Sequence, residues 1–179
     1  MKEYFLNTLR VGFSVWSEKN ISDALELWGN PRVTKFIAAE GKMSNEQIQQ
    51  RLKKEIENYN NFNIQYWPIY HLETDEFIGC CGLRPYAPEK NVLEMGIHLR
   101  DKYWGKGFAK EACLAVIEYA FNTLEADGIF TGHNPNNTAS AKLLKNLGFT
   151  YTHDEFYPPT GLNHPSYLMT KQAYKANQL

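Results

Sequence analysis

Along this chain the spacing of hydrophobic side chains changes period several times, and each change marks an element. Residues 8–15 alternate well enough to predict a first strand, while Ile21, Leu25 and Trp28 fall at helical spacing before a stop at Gly29-Asn30. Asn30 then caps a short second helix whose first residue, Pro31, is preset for that position, with Val33, Phe36 and Ile37 as its apolar side. Ser44 and Gln47 have capping-box spacing ahead of a longer helix carrying Ile48, Leu52, Ile56 and Tyr59. After Asn60-Asn61 the period shortens to two through Phe62, Ile64 and Tyr66, continuing to Leu72 and a turn at residues 73–76. Residues 77–83 return as the second arm of a hairpin, and Val92–Leu99 is a third strand. From Lys106 the helical period resumes with Ala109, Ala112, Val116, Ala120, Phe121 and Leu124, ending by Gly128. A short buried strand over 129–133, a helix over 138–147 closed by Gly148, and strands over 149–156 and 166–170 complete the order.

The junction between the third strand and the alanine-rich helix is the most informative stretch: Leu99-Arg100-Asp101-Lys102-Tyr103-Trp104-Gly105-Lys106-Gly107-Phe108-Ala109-Lys110. Glycines let the backbone come close to a ligand, and the first amides of a new helix have no partner within it, so this is an anion-binding turn with a phosphate group as its expected occupant. It is not a P-loop, because Arg100 stands where the first glycine belongs and Gly107 where Ser or Thr belongs. Nor is it the dinucleotide fingerprint, which needs glycine at Lys110.

Composition narrows the class further. At 179 residues, 43% hydrophobic and 22% charged, the chain has the size and balance of one globular domain, expected over residues 1–179. A net charge of -1 gives no basic surplus for neutralising many phosphates, so nucleic acid is not an expected partner. Residues 1–7 lack the apolar stretch of a secretory signal and no run approaches a membrane span, which predicts a cytoplasmic protein without a membrane partner. Cys80 and Cys81, adjacent in a strand, point to opposite faces, and with Cys113 in a helix they read as buried, inert thiols. His71, His98, His133, His153 and His164 are scattered without metal-ligand spacing, so no metal is expected; His98 and His133 lie near strand ends where a ligand would enter. Tyr66, Trp67, Tyr70, Trp16 and Tyr86 read as core or rim aromatics, whereas Asp154, Glu155 and Tyr157 lie near a loop where they could meet a cationic amine.

The turn at Trp104, Gly105, Lys106, Gly107, Phe108 and Ala109 resembles the pyrophosphate loop of the GNAT N-acetyltransferases, Gln/Arg-x-x-Gly-x-Gly/Ala, with Trp104 departing from the usual Gln or Arg. Tyr-Trp-Gly-Lys-Gly-Phe-Ala is similar to the form this loop takes in the RimJ/RimL-like branch, the ribosomal-protein N-acetyltransferases and their relatives. A second stretch, Asn134-Pro135-Asn136-Asn137-Thr138-Ala139-Ser140 followed by Leu147-Gly148-Phe149, resembles that branch's Asn-x-x-Ser motif and its Leu-Gly-Phe. The element order matches as well. The resemblance implies an α+β fold of the three-layer type, with a mixed, mostly antiparallel sheet of about 6–7 strands flanked by helices. It implies acetyl-CoA as donor, held by His98, Leu99, Trp104, Gly105, Lys106, Gly107, Phe108, Ala109, Lys110, Asn137 and Ser140. Asn137 would bond the pantetheine arm and Ser140 would sit near the sulfur. Glu94 stands where the family often has a glutamate acting as base, directly or through water. Main-chain amides near Leu99 would hold the carbonyl oxygen. Leu144 occupies the position where many members carry a tyrosine that protonates the leaving thiolate, which leaves Ser140 as the substitute. The acceptor would be an amine, of a small molecule or a protein N-terminus, and the protein a monomer or homodimer. An acyl-CoA-binding regulatory module without catalysis is the competing expectation, motivated by Leu144.

Overall fold

The computed structural model describes residues 2–176; the outer limits of the expected domain, residues 1 and 177–179, lie outside them. The strand expected over 8–15 is only β2 (Val11–Phe13), and a short strand not foreseen, β1 (Leu6–Asn7), precedes it, antiparallel with Leu6 opposite Phe13. Thr8 makes the difference, because its hydroxyl accepts from the Val11 amide at 2.9 Å and reverses the chain, leaving Leu9 in solvent. Next come α1 (Ile21–Trp28), α2 (Pro31–Thr34), capped by the Asn30 side chain, and α3 (Asn45–Phe62), which starts on the Ser44/Gln47 capping box. Phe62, expected to open a strand, is the last residue of α3. Asn63 ends that helix in the left-handed conformation with φ 56°, its amide bonded to the Tyr59 carbonyl at 2.8 Å.

The strands β3 (Tyr66–His71), β4 (Phe77–Ala87) and β5 (Val92–Leu99) form the antiparallel meander, with β4 extending four residues beyond its expected end. Then follow α4 (Phe108–Asn122), β6 (Gly128–Gly132), α5 (Thr138–Asn146), β7 (Thr150–Tyr157), β8 (Leu162–Thr170) and α6 (Lys171–Ala176). Residues 162–165 were expected in a loop but pair with β7, and α6 was not foreseen. The sheet runs β1-β2-β3-β4-β5-β6-β8-β7. Among the described residues the sheet has eight strands rather than 6–7 because β1 precedes the first expected strand, and the α+β architecture is otherwise the expected one.

Apolar residues cover both faces. Val11, Phe13, Trp67, Ile69, Leu83, Met95 and Ile129 pack against Phe108, Ala112, Val116 and Phe121 of α4. On the other face Tyr66, Tyr70, Phe77 and Cys80 pack against Leu27 and Trp28 of α1 and Ile48 and Leu52 of α3. Cys80 and Cys81 fall in opposite cores, as strand alternation requires, and all three thiols are free and buried. Burial pushes the Cys80 thiol up to about 12, so it stays protonated.

One pairing differs from the rest. β5 and β6 run parallel and share only three positions, Val92 with Gly128, Leu93 with Ile129 and Glu94 with Phe130. Beyond Glu94 the two strands part, so the edge of β5 from Met95 to Leu99 has no strand beside it on that side.

Candidate active site

The gap between the parting strands is a cleft of about 610 Å³. At one end lies the start of α4. Gly105 and Gly107 hold φ of 70° and 83°, conformations that cost an L side chain energy, and Gly107 is the residue before the first helical turn. Among the described residues, none of the amides of residues 105–110 donates to a main-chain carbonyl, while Trp104 and Glu111 on either side do. The residues present fit a diphosphate: a row of unpartnered N–H groups at the positive end of a 15-residue helix. Trp104 does not replace the charge of a Gln or Arg; its indole N–H donates to the Leu99 carbonyl at 2.9 Å and ties the turn to the end of β5. Arg10 braces the turn from behind, donating to the Lys106 carbonyl at 3.1 Å while its Nε–H bonds Glu111 at 2.7 Å.

Of the residues expected to hold the donor, Leu99, Trp104, Gly105, Gly107, Ala109, Asn137 and Ser140 line the cleft, and so does His98. Phe108 is buried in the core beneath the turn, against Tyr103 and His71. Lys106, Phe108 and Lys110, also expected to hold the donor, are not among the residues lining the cleft. Asn137 caps α5, its Oδ1 accepting from the Ser140 amide at 3.1 Å, so only its Nδ2 is left for a ligand. Leu144 is 5% exposed and packs in the α4-side core.

Strand alternation separates the β5 side chains. Met95 and Leu99 face α4, whereas Glu94, Gly96 and His98 face the core under α1 and α3, where a network of buried polar groups sits. Tyr66 passes over Gly96, where a Cβ would stand 2.3 Å from its ring, and its hydroxyl donates to Glu94 Oε1 at 3.0 Å. Burial first, and the Glu94 charge next, hold that hydroxyl well above the ordinary tyrosine value, so it remains a donor. The Arg84 guanidinium lies 3.9 Å from the Tyr66 ring centroid and pairs with Glu55, a fully buried carboxylate of α3 that also accepts from the Tyr66 amide at 2.9 Å. Burial acts against the Arg84 charge, but Tyr66, Glu55 and Glu94 outweigh it and raise its pKa. His98 Nδ1 lies 3.2 Å from the Trp28 indole nitrogen, which can only donate, so the neutral ring carries its proton on Nε2. Burial, then the charges of Arg51 and Arg84, keep His98 well below its ordinary pKa and therefore neutral.

Sequence reasoning missed Arg10, Arg51, Glu55 and Arg84, and took Tyr66 for a core or rim aromatic. A signal existed for two of them: Arg51 and Glu55 interrupt the apolar stripe of Ile48, Leu52, Ile56 and Tyr59, where a solvated face would not place charge. Asp154 is exposed and does not line the cleft, while Glu155 and Tyr157 do. His133 also lines it, its Nδ1–H donating to the Asn134 carbonyl at 2.8 Å. Among the described residues no group of three or more His, Cys, Asp or Glu is arranged to hold a metal, and no helix is long and apolar enough to cross a membrane.

An eight-stranded mixed sheet that parts beside a glycine turn defines a class of acyl-transfer fold. The Acetyltransferase (GNAT) domain family matches residues 10–150, and the chain belongs to that family. It is an N-acetyltransferase that takes its acetyl group from acetyl-CoA. A Bacillus licheniformis protein named uncharacterized N-acetyltransferase p20 is 34% identical over 128 residues, 69% of this chain and 70% of that one. The crystal structure of a GNAT-family acetyltransferase from Bacillus anthracis superposes with a TM-score of 0.79 at 20% identity, over 93% of this chain and 98% of the other. A spermidine N-acetyltransferase from Vibrio cholerae, in complex with CoA and spermine, gives 0.77 at 16% identity over 94% and 99%. At those identities the two structures speak for the fold alone.

Proposed function

We propose that the protein, as one catalytic domain over residues 1–179 of the RimJ/RimL-like type, acetylates a primary amine of a small molecule or protein N-terminus in the cytoplasm. The amine attacks directly in a ternary complex, with no acetylated enzyme. Acetyl-CoA supplies the thioester: its C–S bond breaks as the C–N bond forms, giving an amide and a free thiol. The unpartnered amides of residues 105–110 grip the diphosphate, and Asn137 Nδ2 bonds the pantetheine arm. Glu94 receives the proton the amine gives up; Tyr66 occupies Oε1 and leaves Oε2 for the acceptor. Main-chain N–H groups on the free edge of β5 near Leu99 stabilise charge on the carbonyl oxygen. Ser140 hydrogen-bonds the departing sulfur, which takes its proton from there or from water.

The observation that carries this reading is the Tyr66–Glu94 pair set beside the unpaired edge of β5, a base and an oxyanion donor on one strand. How much the base matters depends on the acceptor. At pH 7 about 0.04% of a lysine-type amine is neutral, against about 10–17% of an α-amine. The test is release of free thiol from acetyl-CoA against N-terminal peptides, amino acids, polyamines and aminoglycosides. Turnover with at least one acceptor is expected. Tight CoA binding with no turnover on any amine would instead favour an acyl-CoA-binding module, the reading that the apolar Leu144 at the acid position supports.

A further inference from the structure

Five charged side chains line the cleft, and four of them are engaged. Arg32 pairs with Asp101 at 2.7 Å, Arg84 pairs with Glu55, Glu94 accepts from Tyr66 at 3.0 Å, and Glu155 accepts from Tyr86 at 3.0 Å. The fifth is Arg51. No carboxylate lies within 4.0 Å of its guanidinium, none of its five N–H groups meets an acceptor, and its Nε is fully buried without a partner, all among the described residues. The Trp28 ring, 4.9 Å from Cζ to centroid, holds the guanidinium plane without satisfying its donors, while Glu55, one helical turn on, acts on its charge from beyond pairing distance and Arg84 opposes it.

A guanidinium does not give up its proton in a protein, and an unpaired one at a cleft wall is costly unless a ligand completes it. The wall around it is a sequence of contacts. Arg51 rests on Trp28, Trp28 bonds His98, the His98 ring meets the Tyr66 ring at 5.9 Å, and Tyr66 bonds Glu94. One end of that wall offers a carboxylate to an amine, the other an unsatisfied cationic fork, and between them His98 carries an N–H on Nε2. From this arrangement we infer that the acceptor is a small amine that also bears a carboxylate, its ammonium end at Glu94 and its carboxylate on Arg51. The inference rests on the proposed function and narrows its substrate class. A planar fork matches a carboxylate in bidentate geometry, and the carboxylates of Glu94 and Glu155 elsewhere on the cleft lining weigh against a dianion such as a phosphate ester. A polyamine would bring a second cation to a wall that already holds Arg51 and Arg84.

The test uses the full chain with acetyl-CoA and a series of α- and ω-amino acids, set against alkylamines and diamines of the same length, with rates referred to the neutral amine. For the wild-type protein kcat/KM is expected to favour the amino acid by about 10- to 100-fold, expressed mainly in KM. In Arg51→Gln that preference collapses toward one, and Arg51→Lys, which keeps the charge but not the fork, restores part of it. A purely structural role for Arg51 would move acids and alkylamines alike, so the ratio is the readout. A wild-type ratio near one, or a preference for diamines, overturns the inference while leaving the acetyltransferase reading intact. Failure of every amine to react overturns both.

Discussion

At the glycine-turn end of the cleft the polar atoms turned toward a ligand belong to the main chain, the amides of residues 105–110, whereas at the Tyr66 end they are side chains drawn from α3, β3, β4 and β5. The first kind of site is local. It needs two residues able to hold positive φ and a helix that begins immediately after, and a dozen consecutive positions contain all of it. The second kind is assembled across the sheet: Glu55, Tyr66, Arg84 and Glu94 are linked only because α3 packs on β3 and β4 and Tyr66 reaches β5. A main-chain site depends little on the side chains it carries, while a buried side-chain network fails when one member is lost.

The sharpest break in that contrast is Glu94→Gln. It is expected to lower kcat/KM by about 10²- to 10⁴-fold, more at pH 6 than at pH 9, because without a base the rate follows the small neutral fraction of the amine. Unchanged turnover with the best acceptor across that range would remove Glu94 as base. Next comes Glu55→Ala, which leaves the Arg84 guanidinium and the Tyr66 amide unpartnered in the core and is expected to cost about 3–5 kcal/mol in chemical denaturation. Gly107→Val addresses the other end: the left-handed conformation costs a β-branched residue about 1–3 kcal/mol, and calorimetry should find CoA bound at least about tenfold more weakly. The smallest effect concerns the brace behind the turn. Burial tends to raise the Glu111 pKa, but bonds from Thr8 and Arg10 outweigh it and lower it. Its contribution is therefore present above the ordinary glutamate range and lost as pH falls through the depressed value. It amounts to about 0.5–1 kcal/mol in acid melts, and Glu111→Gln should remove that pH dependence.

The same division governs how far the fold was legible. The helix over residues 21–28 announced itself by period and those starting at Pro31 and Asn45 by their caps, since Asn30, Ser44 and Gln47 bond backbone within three residues of themselves. Boundaries failed where a single side chain decided the matter, as with the Thr8 hydroxyl that turns the chain at the start of the first expected strand and Asn63, whose left-handed φ keeps Phe62 in the helix. The pairing of residues 162–165 with β7 was hidden because Pro165 breaks the strand pattern, although only its missing N–H is a loss to the ladder.

From the order of its residues alone most of this protein's element sequence and its glycine turn ahead of a helix could be read, because each depends on neighbours a few positions away. Tertiary structure alone decided that β5 and β6 part after Glu94, that Tyr66 crosses Gly96 to reach that carboxylate, and that Arg51 faces the cleft with no carboxylate at ion-pair distance among the described residues. Such contacts join residues tens of positions apart, and local spacing carries no record of which distant groups the packing of helix on sheet will bring within hydrogen-bond reach.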